Sequence, residues 1–543
     1  VGEKPMPPIG APKRGTKIKT LNRVPDLDAR PPCYSTPGLS VKGAALPTPD
    51  PQCPDTMKAG VLKRVASLTP EPDPVEIKEF SDFVGWFIPR TFVPLAPDED
   101  VSVEHWIANA PYPDSRKREL LAKWYALTDK TAAKLRHCRC FMKKERYLTW
   151  KHARGIYSRT DEFKCMVGPI FHAIEKVVFK HPWFIKKVPI KDRPSYIRDR
   201  LYAAGSVYSN TDYTSYEASF SKKLMEACEF QLYDYMTSFL PCHDEFMEEV
   251  RKTLGGVNTC EFKYFKLMIN ACRMSGEMCT SLGNGFTNWM VMEYFAWKKG
   301  MEVVGVVEGD DGLCRFSGPI PDASEFAKLG LTIKLEKHTR FESASFCGLV
   351  FHPDDCLNVT DPRKALASFG WIDGMYAGSK ASKQLALLRC KALSMAHQYP
   401  GCPILSVLAD KALELTSGRD VRHLVKQSRA FSTYEREKLL LILPDERSLA
   451  HRRVTTPFTT RLVMDEVFGV SVDSQIAIER YISGLTLNAD GTLPVLDHVL
   501  IDDLMDDVWK DYSSSYVRPK NKDPRHPVLD VSNDSYKFSF PTY

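Results

Sequence analysis

The chain contains no run approaching the roughly 20 apolar residues that a membrane-spanning helix requires, and its N-terminus lacks the charged-then-apolar order of a secretion signal. A soluble or peripherally anchored protein is the expectation. Its fifteen cysteines include no CxxC pair, and the nearest two, Cys138 and Cys140, are one residue apart. That spacing is wrong for a zinc knuckle, so a reducing compartment and no structural metal are expected. Charge of one sign is not in excess either: the formal net charge is +6 over 543 residues. Any role with a polyanion must therefore come from local clustering. No internal repeat is found.

What the chain does have is an ordinary globular balance, 43% hydrophobic and 26% charged, with room for a large core and several subdomains. Residues 1–60 carry twelve prolines and no sustained periodicity, the mark of an extended arm laid on the body. Between Arg116 and Arg159 stand fourteen Lys or Arg against three acids, interleaved with Trp124, Tyr125, Phe141, Tyr147, Trp150 and Tyr157. Such a run is often just a solvated helix face, but aromatics among the charges suit contact with phosphates and bases.

Helical patterns dominate from SRKRELLAKWYAL to GPIFHAIEKVVF, and a strand-like AGSVYSNTDY follows. Then SYEASFSKKLMEACEFQLYDYM reads as one amphipathic helix, and FTNWMVMEYFAWKKG as an apolar one after the loop RMSGEMCTSLGNG. Past residue 370 the pattern is mostly helical again.

The stretch VVGVVEGDDGLCRF, 303–316, sets Asp310 and Asp311 at the tip of a hairpin, with Gly309 and Gly312 expected to let the backbone bend on either side. Adjacent aspartates are common, and three more pairs occur here: Asp354-Asp355, Asp502-Asp503 and Asp506-Asp507. A divalent cation gives this pair a purpose, because Mg²⁺ takes hard oxygen ligands and can activate a hydroxyl while neutralising a leaving pyrophosphate. Such a site needs an acid from a second strand. Asp212, where a strand ends, supplies it, and Glu217 brings another carboxylate near the same mouth.

The ordered set DYTSYE, MSGEMCTSLGN and EGDDG resembles motifs A, B and C of viral RNA-dependent RNA polymerases, closest to the tombus-like and noda-like group of positive-strand RNA viruses. The resemblance implies that Asp212, Asp310 and Asp311 are catalytic and hold two Mg²⁺ ions, with Mn²⁺ able to substitute. In motif A the later acid is usually Asp and helps select ribose; here it is Glu217, one methylene longer, able to accept a hydrogen bond from a 2′-hydroxyl or from Asn284. Motif B implies that the Ser275-Gly276 loop flexes beside the template while Thr280 and Asn284 read the sugar, although short polar side chains also cap helices.

Upstream, FMKKERYLTWKHARGIYSR resembles motif F, which implies that Lys143, Lys144, Lys151, Arg154 and Arg159 face triphosphate or template and that Ile156 packs against the new base. LGLTIKLEKH resembles motif D, whose lysine is held to protonate the leaving pyrophosphate. Lys334 and Lys337 compete for that part, and Lys337 is the choice. SFCGLVF resembles motif E, the hairpin gripping the primer, and YPDSRKRE motif G at the template entrance.

The implied fold is α+β, a right-hand polymerase: a Pro-rich arm over 1–60, fingers over 61–200, palm motif A at 201–220, a fingers insertion at 221–272, a palm with antiparallel sheet over 273–369, and a helical thumb over 370–543, where VFGVSVDSQIAIERYI resembles noda-like thumbs. Implied partners are template and nascent RNA, nucleoside triphosphates and other viral replication proteins. The implied setting is the host cytoplasm, in a membrane-associated replication complex. A reverse transcriptase would usually carry an aromatic before the paired aspartates, where this chain has Gly309.

Overall fold

Caps and apolar spacing place the helices that frame the structure. Asp73 accepts hydrogen bonds from the backbone N–H groups of Val75 and Glu76 and starts helix Pro74–Thr91, which buries Phe80, Phe83, Val84 and Ile88 along one face. Thr160 caps helix Asp161–Val178 in the same way, with Asp161 and Glu162 favourably placed in its first turn. These positions come from a computed structural model, which describes residues 9–23, 34–42, 53–143, 145, 147, 151–428, 430–451 and 454–512.

Eleven strands are described: β1 (Lys17–Thr20), β2 (Tyr34–Ser35), β3 (Cys138–Met142), β4 (Gly155–Arg159), β5 (Tyr208–Tyr213), β6 (Asn258–Glu261), β7 (Phe265–Ile269), β8 (Val303–Glu308), β9 (Asp311–Phe316), β10 (Ile333–His338) and β11 (Ile372–Asp373). They form a five-stranded sheet in the order β1-β7-β6-β3-β4, a four-stranded sheet in the order β10-β5-β9-β8 and the small pair β11-β2. The four-stranded sheet is antiparallel throughout. The chain is thus a mixed helix and sheet protein whose sheets are largely antiparallel, in line with the expected α+β class.

Helix Thr280–Lys298 runs through the middle. It buries residues on every side, which is why its sequence is apolar all round rather than striped. Trp289, fully buried, meets Phe87, Phe92, His181 and Phe184 around it. Tyr213, Ile333 and Val307 from one face of the four-stranded sheet join the same core. The other face buries Tyr208, Val306 and Leu313 against Phe341 and Phe346. Past residue 380 helices build a second core around Leu388, Leu405, Leu408 and Ile478.

Two described pieces of the Pro-rich arm lie on the body. β1 pairs with β7, and residues 34–42 join the helical end: Leu39 N–H donates to Pro494 O, Leu496 N–H to Ser40 O, and Leu39 and Val41 enter the second core. Residues 54–60 of the expected arm are not extended but open helix Pro54–Arg64, and residues 1–8, 24–33 and 43–52 lie outside the described residues.

Two further expectations change. The single amphipathic helix over 215–236 is three short ones, Tyr216–Ser219, Lys222–Ala227 and Glu229–Thr237, because the backbone leaves helical geometry at Phe220 and Cys228 and Ser221 caps a new start by accepting from Leu224 N–H. The stretch read as dominated by helices also contains β3 and β4, whose alternating buried and exposed residues are masked by the density of charge.

Candidate active site

The register of the four-stranded sheet brings the acids together. β5 and β9 pair from Tyr208–Arg315 to Thr211–Gly312, so the next residues along, Asp212 and Asp311, share one end of the sheet. β8 and β9 close with Glu308 opposite Asp311, leaving Gly309 and Asp310 as a two-residue turn. Gly309 has φ +64, a conformation glycine adopts without strain. Gly312 serves differently from expected: it is not left-handed, but a Cβ there would lie 2.9 Å from Thr211 Oγ1 and 3.2 Å from Asn288 Nδ2, so its bare backbone permits close packing.

All three aspartates touch solvent. The surrounding walls still strip hydration from two of them. Lost hydration and nearby Glu217 push the Asp310 carboxyl up, opposed by Arg154 and Arg64. Asp311 is pushed up to about 6 by lost hydration, then by Asp310, Glu308 and Asp212, while the Cys347 thiol opposes the shift. Among the described residues, none of the three aspartates ion-pairs with a Lys or Arg. Nor do the described residues already gather three or more His, Cys, Asp or Glu side chains within reach of one metal ion. The set is open, oxygen-only and short of positive charge, the donor chemistry that suits Mg²⁺.

Ser215 enters the following turn with φ +50, and Glu217 then points at the loop read as motif B, where its carboxylate accepts from Ser275 Oγ at 3.2 Å. The loop is seated on β4. Tyr157 N–H donates to Ser275 O, and Gly276, at φ +138, passes so near that a Cβ would lie 2.7 Å from Tyr157 O. Thr280 Oγ1 accepts from Gly276 N–H at 3.3 Å, so its hydroxyl braces the loop.

Asn284 is buried, and its Oδ1 accepts from Arg273 Nε at 2.9 Å rather than meeting Glu217. Arg273 is fully buried and also donates to Glu229 Oε1, while its backbone N–H donates to Glu217 O. Burial works against the Arg273 charge, but Glu229 and its neighbours hold it firmly protonated.

Among the described basic residues read as motif F, Arg154 couples to the acids. Burial opposes its charge, yet Glu145, Glu217 and Asp310 raise its pKa. Lys143 pairs with Glu145 at 2.5 Å, Lys151 is exposed, and Ile156 lies half-buried on β4 opposite Phe141. Lys144 lies outside the described residues.

Arg159 is a correction. It is buried, and its guanidinium is used by Glu277, Asn258 Oδ1 and Arg136 O, leaving it no approach to a phosphate. Elsewhere in the basic run Arg116 and Lys123 pair with Asp161, and Arg136 with Glu249. Much of that charge therefore braces the fold.

Lys337 is a second correction. It pairs in register with Ser209, three residues or about 10 Å along β5 from Asp212, and strand alternation puts it on the other face from Asp212. Lys334 lies directly across from Asp212 and shares its face, with its ammonium 2.8 Å from Glu336. The segment read as motif E does form a tight turn, with Cys347 at φ +52 and Gly348 at φ +74 between the bridged residues Phe346 and Leu349. It stands beside the acids, Cys347 Sγ lying 4.0 Å from Glu308 Oε2.

Sequence reading missed Arg64, at the end of helix Pro54–Arg64, whose charge reaches Asp310. It also missed Arg193, which pairs with Glu308 at 2.5 Å, and Arg273. None of these sits in a motif. Asn288 was missed too, although a lone amide inside the apolar run FTNWMVMEYF is a signal in itself, since a buried amide must find partners.

Comparison with known proteins agrees with the motifs. Residues 163–400 match the family model described as viral RNA-dependent RNA polymerase. An RNA-directed RNA polymerase of striped jack nervous necrosis virus is 25% identical over 213 residues, 36% of this chain and 20% of that protein. One of greasy grouper nervous necrosis virus is 25% identical over 191 residues, 32% of this chain and 18% of that protein. The aligned stretches span about a fifth of the length of these relatives. The resemblance to a positive-strand RNA virus polymerase, first drawn from the motifs, is borne out.

Proposed function

We propose that this chain is an RNA-dependent RNA polymerase that copies viral RNA by template-directed, two-metal nucleotidyl transfer from nucleoside triphosphates, releasing pyrophosphate. One observation carries the reading: Asp212 and the Asp310-Asp311 pair, about a hundred residues apart in sequence, reach the same end of one antiparallel sheet. In the right-hand arrangement, residues 61–200 and 221–272 are fingers, residues 201–220 and 273–369 the palm, and the helices beyond 370 the thumb. The five-stranded sheet then roofs the nucleotide site and the four-stranded sheet floors it.

Asp212, Asp310 and Asp311 would hold the divalent ions, which when bound supply activation of the 3′-hydroxyl and neutralisation of the leaving pyrophosphate. The chain's own groups do the rest. Arg154 and Lys151 draw in the triphosphate, with Lys143 at the edge of the same roof. Ile156 backs the incoming base. Glu217, tied to Ser275, offers a carboxylate to the ribose, and Asn284, its carbonyl taken by Arg273, presents its amide. Lys334, across from Asp212, is placed to deliver a proton to the departing pyrophosphate.

The cytoplasmic, membrane-associated setting and other viral replication proteins as partners belong to the same proposal. No helix among the described residues is long and apolar enough to cross a membrane.

The test is RNA-templated extension by purified protein on primed and unprimed RNA, in Mg²⁺ and in Mn²⁺, comparing GTP with its deoxy counterpart. Parent protein should incorporate ribonucleotides. Asp310→Ala should abolish incorporation while RNA affinity stays within about threefold, because phosphate contacts lie elsewhere. Turnover surviving Asp310→Ala would refute the assignment, and preference for the deoxynucleotide would favour a reverse transcriptase.

A further inference from the structure

Asn288 projects from the buried middle helix toward the underside of the Gly309-Asp310 turn and is fully buried. Its Nδ2 donates toward three successive carbonyls, Gly309 O at 3.3 Å, Asp310 O at 3.1 Å and Asp311 O at 3.3 Å. Its Oδ1 accepts from Tyr213 Oη at 3.1 Å. Backbone carbonyls can only accept, so they dictate which end of the amide faces the turn, and the tyrosine hydroxyl satisfies the other end. Thr211 Oγ1 adds a second donor to Asp310 O at 3.0 Å.

Nδ2 has two hydrogens for these three carbonyls, so at least one is shared between neighbours, and together they hold three consecutive peptide planes. Those planes fix the Cα–Cβ directions of Asp310 and Asp311, which leave the turn on its open side. Tyr213 is the neighbour of Asp212 on β5, so the same amide also ties down the strand that carries the remaining acid. Gly312 permits this, since a Cβ there would press on both Thr211 and Asn288.

We propose that Asn288 is a positioning residue that sets the spacing between Asp212 and the Asp310-Asp311 pair, and thereby the affinity of that site for divalent cations, without touching metal or substrate. Its turnover readout rests on the polymerase reading above; its cation readout does not. A group that orients metal ligands from behind typically governs metal affinity or activity by about 10–100-fold.

The test uses the full chain and three forms of it: parent, Asn288→Leu, which keeps similar bulk without hydrogen bonds, and Tyr213→Phe, which removes only the hydroxyl that anchors the amide. Mn²⁺ binding is followed by electron paramagnetic resonance of the free ion, with thermal melting to establish folding and with kcat and nucleotide KM from extension assays. Asn288→Leu should weaken Mn²⁺ binding by about tenfold or more and lower kcat by a similar or larger factor, with nucleotide KM within about twofold. Tyr213→Phe should shift both in the same direction by about threefold.

Mn²⁺ affinity and kcat of a folded Asn288→Leu within about twofold of the parent would overturn the proposal, as would a loss expressed only in nucleotide KM. If Asn288→Leu fails to fold, Tyr213→Phe decides, and unchanged Mn²⁺ affinity there overturns the proposal. A parent that binds Mn²⁺ but makes no RNA would sink the polymerase reading alone. A parent that binds no Mn²⁺ would sink this one.

Discussion

Replacing Arg273 by Met should be among the most damaging single changes in the protein, and a second change should partly undo it. Arg273 and Glu229 are 0% exposed as side chains and meet at 2.5 Å. With the guanidinium gone, the Glu229 carboxylate keeps Tyr233 Oη at 2.7 Å as its remaining hydrogen-bond donor and has no cation to offset its desolvation. Breaking a buried pair from one side costs about 3–5 kcal/mol, or two to three and a half powers of ten in the unfolding constant.

Adding Glu229→Gln removes the stranded charge while leaving an oxygen for Tyr233. The double variant should then regain about 1–3 kcal/mol relative to Arg273→Met. Neither variant restores the donor to Asn284 Oδ1, so weakened discrimination between ribo- and deoxynucleotides should persist in both. Urea unfolding followed by tryptophan fluorescence gives the stabilities, and paired kcat/KM values for GTP and its deoxy counterpart give the selectivity. A loss below about 1 kcal/mol in Arg273→Met, or a double variant no more stable than the single one, would refute the reasoning.

Gly276→Ala forces a side chain into φ +138 and against Tyr157 O, so it should cost about 1–3 kcal/mol and raise nucleotide KM by lifting the loop off β4, as read by urea midpoint and steady-state kinetics. Divalent-cation affinity should depend on pH with a definite sign. Because the Asp311 carboxyl is pushed up to about 6, protons compete with metal below that value, and half-saturating Mg²⁺ should rise by about tenfold per pH unit as pH falls, flattening above pH 6; an Mg²⁺ titration from pH 5 to 8 measures it. Lys334→Ala should lower kcat by about a hundredfold and abolish the solvent deuterium isotope effect on turnover, whereas Lys337→Ala should leave kcat within about twofold. Equal losses in the two would put the proton donor elsewhere.

The acid hairpin was legible because its information is local: apolar runs on both sides of a Gly-Asp turn, with Gly309 at the positive φ the turn demands. The strand that carries Asp212 near its end and the helix starting at Thr280 were legible for the same reason. What stayed hidden depends on partners distant in the chain. Nothing near Arg159 announces that Glu277, 118 residues on, will take its charge. Lys334 and Lys337 look alike until the register against β5 puts one across from Asp212 and the other on the opposite face. The break at Phe220 belongs with Arg273, whose guanidinium lies 4.2 Å over that ring, a contact between segments some fifty residues apart.

Residues 34–42 are held from two places: β2 pairs with β11, and the following residues dock on the stretch around Leu493–Leu496, with Lys42 pairing with Asp497, 455 positions later. At translation rates of about 5–20 residues per second, residues 34–42 wait roughly half a minute to a minute and a half before that second partner exists. During that interval the segment can be held through β11 alone. A product truncated before position 493 would leave that segment held at β11 only, while the acid-bearing sheet was already complete.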